Sequence, residues 1–127
     1  MARFLWICLG GAVGTGARYL LSGWLARTAG IGFPWGTLAV NVIGSFLLGL
    51  IMQIALGTDL LSPTLRLTLT TGVMGGFTTY STFNYETLQY LQQNDWLMGF
   101  LNLSVTVIAC LAAGSLGLVA GRMLAGS

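Results

Sequence analysis

Histidine and lysine are missing from this sequence, and charge of either sign is scarce: five arginines and three acids in 127 residues, 6% of the chain. Each absence excludes something. Without histidine, and with Asp59 and Asp95 expected in connections, Glu86 stands alone. No pair of titrating groups is then available for acid–base catalysis. The serines have no neighbouring base to activate them, so the chain is read as not an enzyme. Cys8 and Cys110 are too few for a zinc-type metal site. Both fall well inside expected helices and are read as small apolar packing residues rather than a disulfide. The formal charge of +2 comes from Arg3, Arg18, Arg27, Arg66 and Arg122 set against the three acids. It is too small and too scattered for nucleic-acid binding. Walker and Rossmann glycine patterns are also missing: GGFTT at 75–79 is followed by no lysine and does not follow a strand.

What is present is apolar. Hydrophobic residues make up 55% of the chain, and residues 4–17, 28–58, 67–85 and 96–121 carry no charge. Charged residues make up about a quarter of an ordinary soluble domain, and a spanning helix needs about 20 mostly apolar residues. The charge gaps predict an all-α membrane protein, one domain over 1–127, with four transmembrane helices at about 4–26, 35–56, 64–92 and 96–123. The first is read as a span and not a signal peptide, because no small-residue cleavage site follows a short apolar core. Four spans put both termini on one side. Arg3, Arg66 and Arg122 then share a face against Arg27, a bias too weak to insist on one orientation.

The connections are legible. In GIGFPWG, 30–36, Pro34 opens the second helix and Trp35 suits a membrane interface. In GTDLLSP, 57–63, Ser62 is placed to cap the third helix and Pro63 fits its first turn. The third span is the odd one. TTGVMGGFTTYSTFNYET, 70–87, is the most polar stretch of the chain and lies where hydropathy asks for a span. Gly72, Gly75 and Gly76 are costly in a helix interior, and Thr78, Thr79, Ser81 and Thr82 compete for backbone hydrogen bonds. The expectation is two helical pieces with a break at mid-membrane. Irregular backbone survives there only when buried in protein or lining a cavity, and it frees carbonyls that suit hard cations.

Other polar residues join this segment. Asn41 is deep in the second helix, and Asn102 and Thr106 share a face of the fourth, continued by Cys110. Singly, such residues are interhelical glue worth around 0.6 kcal/mol each; as a cluster they suggest a pathway. Tyr80 and Phe83, three apart on one helical face, are either plain packing or a pair whose positive ring edges meet an anion. Arg18 either snorkels to the headgroups or faces a water-filled vestibule and attracts anions.

GGFTTYSTF at 75–83 and PWGTLAVNVIGSFLLG at 34–49, with GGAVGTGARYLL at 10–21 and Glu86 after the aromatic pair, resemble the Fluc (CrcB) family of fluoride channels. The likeness runs over nearly the whole chain in length, layout and motif order. It implies passive fluoride export across the prokaryotic inner membrane, relieving fluoride toxicity. It also implies an antiparallel, dual-topology homodimer with two fluoride pores and a central structural sodium ion. Carried over by motif, the sodium carbonyls are those of Gly75 and Thr78, and the aromatic box is Tyr80 and Phe83. Asn41, Thr37, Ser81, Thr82 and, more loosely, Thr106 line the fluoride path, with Arg18 at the vestibule and Glu86 as the acid near the pore. The family most often has phenylalanine where this chain has Tyr80. Two other readings compete. A small proton-coupled multidrug transporter would need a deep titratable acid, for which only Glu86 is available. A non-transporting membrane subunit would use its glycines for assembly alone.

Overall fold

The structure is a computed structural model, described here for residues 1–126. The described residues are helical apart from short connections: α1 Ala2–Ala29, α2 Trp35–Gly57, α3 Pro63–Leu67, a π-helical segment Thr68–Met74, α4 Gly75–Phe77, α5 Tyr80–Gln92 and α6 Trp96–Ala125. Three of these, α1, α2 and α6, are long and apolar enough to cross a membrane. The pieces from α3 to α5 make the fourth, bent element. Its 63–92 extent lies close to the expected span, and α1 and α6 each run two or three residues beyond their expected bounds.

Local chemistry sets the ends. Nothing stops α1 until Gly30, whose φ of 85° is a left-handed conformation that glycine adopts freely. Ser62 caps α3 by accepting from Leu65 N at 3.1 Å, with Pro63 in the first turn. Asp95 caps α6 through Met98 N at 3.3 Å.

The glycines of the third element behave otherwise than expected. Gly72, Gly75 and Gly76 do not break the helix; it continues through all three, partly as π-helix. Gly72 and Gly76 are spent on packing against α1. A Cβ on Gly76 would lie 2.5 Å from the Gly11 carbonyl oxygen, and one on Gly14 of α1 would run into the Val73 carbonyl. Backbones this close exclude side chains, which is how small residues join helices in lipid. The same device joins α2 to α6, where a Cβ on Gly117 would strike the Phe46 carbonyl. Threonines in the bent element turn inward on their own helix: Thr68, Thr70 and Thr78 hydroxyls donate to the carbonyls of Thr64, Arg66 and Met74 at 2.7–2.9 Å. Such back-bonding bends helices.

Little of the molecule is fully enclosed. Val40, Met74, Phe77, Phe83 and Ala113 make the buried apolar core, while Leu5, Leu9, Val13 and Leu20 on α1 and Leu97, Ile108 and Leu111 on α6 are exposed. Both cysteines are free, and Cys8 is on the outside of α1. Outward apolar faces of this extent suit lipid or another protein surface.

Candidate functional site

The helix is interrupted at Thr78 and Thr79, both extended, with ψ of 159° and 102°. The interruption thus falls just past the glycines. Extended backbone there orphans a donor and an acceptor, and Asn41 of α2 supplies both. Its Oδ1 accepts from Thr79 N at 2.8 Å, and its Nδ2 donates to the Thr79 carbonyl at 3.1 Å. One primary amide has the donor and the acceptor needed for this pair, with one N–H to spare. Thr79 then starts α5 as its cap: Oγ1 accepts from Thr82 N at 3.3 Å and donates to Thr82 Oγ1 at 2.8 Å.

Carbonyls near the interruption fall into two sets. Met74 accepts from Thr78 N and Oγ1, Gly76 accepts from Arg18 Nε at 3.0 Å, and Thr79 accepts from Asn41. Those of Gly75 and Thr78 receive no hydrogen bond among the described residues. Gly75 is exposed, and a Cβ there would meet only the Thr70 carbonyl at an ordinary 3.8 Å. Packing among the described residues therefore gives no reason for a glycine at that position.

The expected site residues separate into two groups on either side of the Asn41–Thr79 clamp. Asn41, Gly75, Thr78, Tyr80, Phe83 and Thr106 line one open groove of about 370 Å³. Phe83 is 6% exposed and Tyr80 76%. Their rings meet edge to face, with centroids 5.9 Å apart at 68°, the favoured offset for aromatic quadrupoles. Arg18, Thr37, Thr82 and Glu86 line a second cavity of about 420 Å³, together with Thr79 and Arg27. Ser81 is exposed and lines neither. Arg18 does not simply reach for solvent; its Nε holds the Gly76 carbonyl just before the interruption.

Two contributors are less visible in the sequence. Thr79 is marked only by its place in a threonine run, yet its backbone is what Asn41 grips. Thr87 is buried and completes a chain across α5 and α6. Thr106 Oγ1 donates to Asn102 Oδ1 at 3.4 Å, Asn102 Nδ2 to Thr87 Oγ1 at 3.0 Å, and Thr87 Oγ1 to the Phe83 carbonyl at 2.9 Å. The signal for Thr87 is its spacing, four residues after Phe83. This chain holds the Phe83 backbone in register with α6, on which Asn102 is 1% exposed.

The model of the CrcB-like protein family (camphor resistance, CrcB) matches residues 5–118. The chain belongs to the CrcB family. Relatives named "Fluoride-specific ion channel FluC" resemble it along their whole lengths. That of Sorangium cellulosum is 60% identical over 124 residues, 98% of both chains. That of Anaeromyxobacter dehalogenans is 54% identical over 126 residues, covering 99% of this chain and 100% of the relative. That of Geobacter sulfurreducens is 52% identical over 124 residues, 98% of this chain and 100% of the relative. These relatives are ion channels and not enzymes. Membership of the CrcB family, with three helices apolar enough to span, makes the chain an integral protein of a bacterial membrane.

Proposed function

We propose that this CrcB-family chain is one subunit of a fluoride-selective channel that lets fluoride leave the cell passively across the inner membrane and so relieves fluoride toxicity. The observation that carries the reading is the Asn41-clamped interruption beside an edge-on aromatic pair, in a groove that opens to the outside of the subunit. Irregular backbone at membrane depth is tolerated where it is buried in protein or lines a cavity, so the interruption belongs at mid-membrane with a second wall facing it. A second copy in antiparallel, dual-topology orientation supplies that wall, and the exposed ring of Tyr80 then becomes pore lining. Two such grooves per homodimer give two pores.

In this mechanism the vestibule cavity concentrates the anion. Arg18 and Arg27 provide positive potential, and Thr37 and Thr82 hydroxyls replace part of the hydration shell. Past the clamp, the spare N–H of Asn41 and the edges of Tyr80 and Phe83 offer positive partial charge without a full cation that would trap the ion. Thr106 continues the polar lining of the groove, Ser81 lies on the exposed face beside Tyr80, and Glu86 is the acid at the vestibule.

The sodium ion expected from the family resemblance fits the donor set. Gly75 and Thr78 offer two hard carbonyl oxygens that no donor among the described residues uses, and an antiparallel partner doubles them. A bound sodium ion would supply positive charge that ties two interrupted helices together. The multidrug-exporter reading is not supported, since the relatives bear the name of fluoride channels.

The test is ion efflux from liposomes holding the purified protein, read with a fluoride electrode, beside a chloride run and a sodium-free run. Fluoride is expected to leave at least about 100-fold faster than chloride, a discrimination of roughly 2.8 kcal/mol, and to slow when sodium is removed. Equal rates for both anions, or no fluoride efflux, overturn the proposal. A smaller effect is expected at Tyr80. The edge-to-face geometry needs the ring and not its hydroxyl, so Tyr80→Phe should keep fluoride efflux within a few-fold, about 1 kcal/mol. A collapse in the same assay would assign the hydroxyl a necessary part.

A further inference from the structure

A third cavity, of about 340 Å³, lies under the α1–α2 connection. It is distinct from the groove of Tyr80 and Phe83, and it shares only Ser22, Thr37 and Glu86 with the vestibule cavity. Ser22, Thr37, Gln89 and Gln93 form part of its wall, and two further features stand out. One is aromatic: Phe33 and Trp35, with ring centroids 4.8 Å apart and planes tilted at 49°, line it together with Tyr90 of α5. The tyrosine is anchored by its hydroxyl, which donates to the Gly32 carbonyl at 3.3 Å, so α5 is tied to the connection that roofs the cavity. The other feature is negative. Glu86 is its one acid, and Glu86 Oε1 is shielded from solvent without a hydrogen-bond partner. No arginine lines this cavity among the described residues; Arg18 and Arg27 line the neighbouring one.

A carboxylate oxygen withdrawn from water is costly without a partner, and this cavity brings no cation of its own to Oε1, although Glu86 also lines the neighbouring cavity with Arg18 and Arg27. Aromatic faces attract cations through their quadrupole. Rings plus a carboxylate with one unpartnered oxygen favour a cation that has apolar surface. We infer that this cavity binds a small quaternary ammonium ion, with Trp35, Phe33 and Tyr90 around the methyl groups and Glu86 supplying the counter-charge. Its volume lies at the low end of small-molecule sites, about 300 Å³ upward, which suits a choline-sized ion. The inference is independent of which anion the channel conducts, since binding is read without transport.

The test uses the purified full chain in detergent, titrated calorimetrically with choline and with 3,3-dimethylbutan-1-ol, the neutral carbon isostere of choline. Choline is expected to bind at least about tenfold more tightly than the isostere. Glu86→Gln should abolish that preference, and Trp35→Leu should weaken choline by several-fold. Phosphatidylcholine mixed into the micelles distinguishes a lipid headgroup from the free ion. If it competes with choline, the site takes the headgroup; if choline binding is unmoved, the site takes the free cation. Both outcomes keep the quaternary ammonium assignment. Indistinguishable titrations of choline and isostere in the unaltered protein overturn it without reliance on any variant. So does undiminished choline preference in Glu86→Gln that elutes as the parent protein does.

Discussion

Asn41→Leu is expected to lower fluoride efflux by on the order of 100-fold or more, the largest loss from any single side chain in the groove. Leucine keeps the branch at Cγ and removes the amide's donor and acceptor. In the parent protein Thr79 N and the Thr79 carbonyl each find a partner on the same amide, at 2.8 and 3.1 Å. Leucine removes both. Each buried group left unsatisfied costs roughly 1–3 kcal/mol, and both Thr79 groups are part-buried. The interruption then has two ways out, both damaging. It can reclaim its hydrogen bonds by extending α4 or α5, which turns Tyr80 and Phe83 off their present line. Or it can stay open and fluctuate. A shift of about 2.8 kcal/mol away from the clamped state corresponds to 100-fold in population. Asn41→Asp separates the two bonds. One carboxylate oxygen still accepts from Thr79 N, while the other faces the Thr79 carbonyl and repels it. Its efflux should also fall sharply. Hydrogen exchange over residues 78–82 gives a readout free of transport: it should rise in both variants. Efflux within tenfold of the parent for Asn41→Leu, with unchanged exchange, would show that the clamp is dispensable.

This clamp also marks what the sequence conceals. Charge gaps located four helical elements, because an unpaired charge in lipid is expensive and a bare stretch between charges therefore measures a span. Ser62 and Pro63 announced the start of α3, because capping is local chemistry between residues three apart. Asn41 and Thr79 are 38 residues apart, and no local rule links them. The glycines point the wrong way for a related reason. Glycine weakens an isolated helix by losing chain entropy, and on that ground Gly72, Gly75 and Gly76 read as part of the break together with the threonine run that follows them. In the fold, Gly72 and Gly76 receive α1 so closely that packing outweighs propensity, and the helix yields two residues later at Thr78, where Asn41 supplies the lost bonds. Gly75 is the exception. It is exposed, with room for a side chain, so packing among the described residues does not account for it. The division of the site residues into a groove and a vestibule was likewise hidden, because nothing in a linear pattern says that α5 stands between them.

Gly14→Ala is expected to fail where Gly16→Ala succeeds, although the two glycines are one residue apart from being neighbours on α1. A methyl group on Gly14 would run into the Val73 carbonyl oxygen and sit 2.9 Å from Phe77 N; a methyl on Gly16 meets nothing within 4 Å. The obstacles at Gly14 are backbone atoms of the π-helical segment and α4, which have no alternative rotamer. Relief requires α1 to move away as a body, and that motion also draws Arg18 Nε from the Gly76 carbonyl. Overpacking ordinarily costs about 1–3 kcal/mol, and a clash against main chain belongs at or beyond the top of that range. Gly16→Ala gains helix propensity of up to about 1 kcal/mol at an exposed position. Thermal unfolding in detergent should therefore move in opposite directions, down by roughly 10 °C for Gly14→Ala and level or slightly up for Gly16→Ala. Fluoride efflux should follow the same order, because the contact of α1 with the segment before Thr78 helps to hold the interruption open. Equal stability of the two alanine variants would mean that α1 can withdraw from the π-helical segment at no cost, and that the close approach seen here does not support the site.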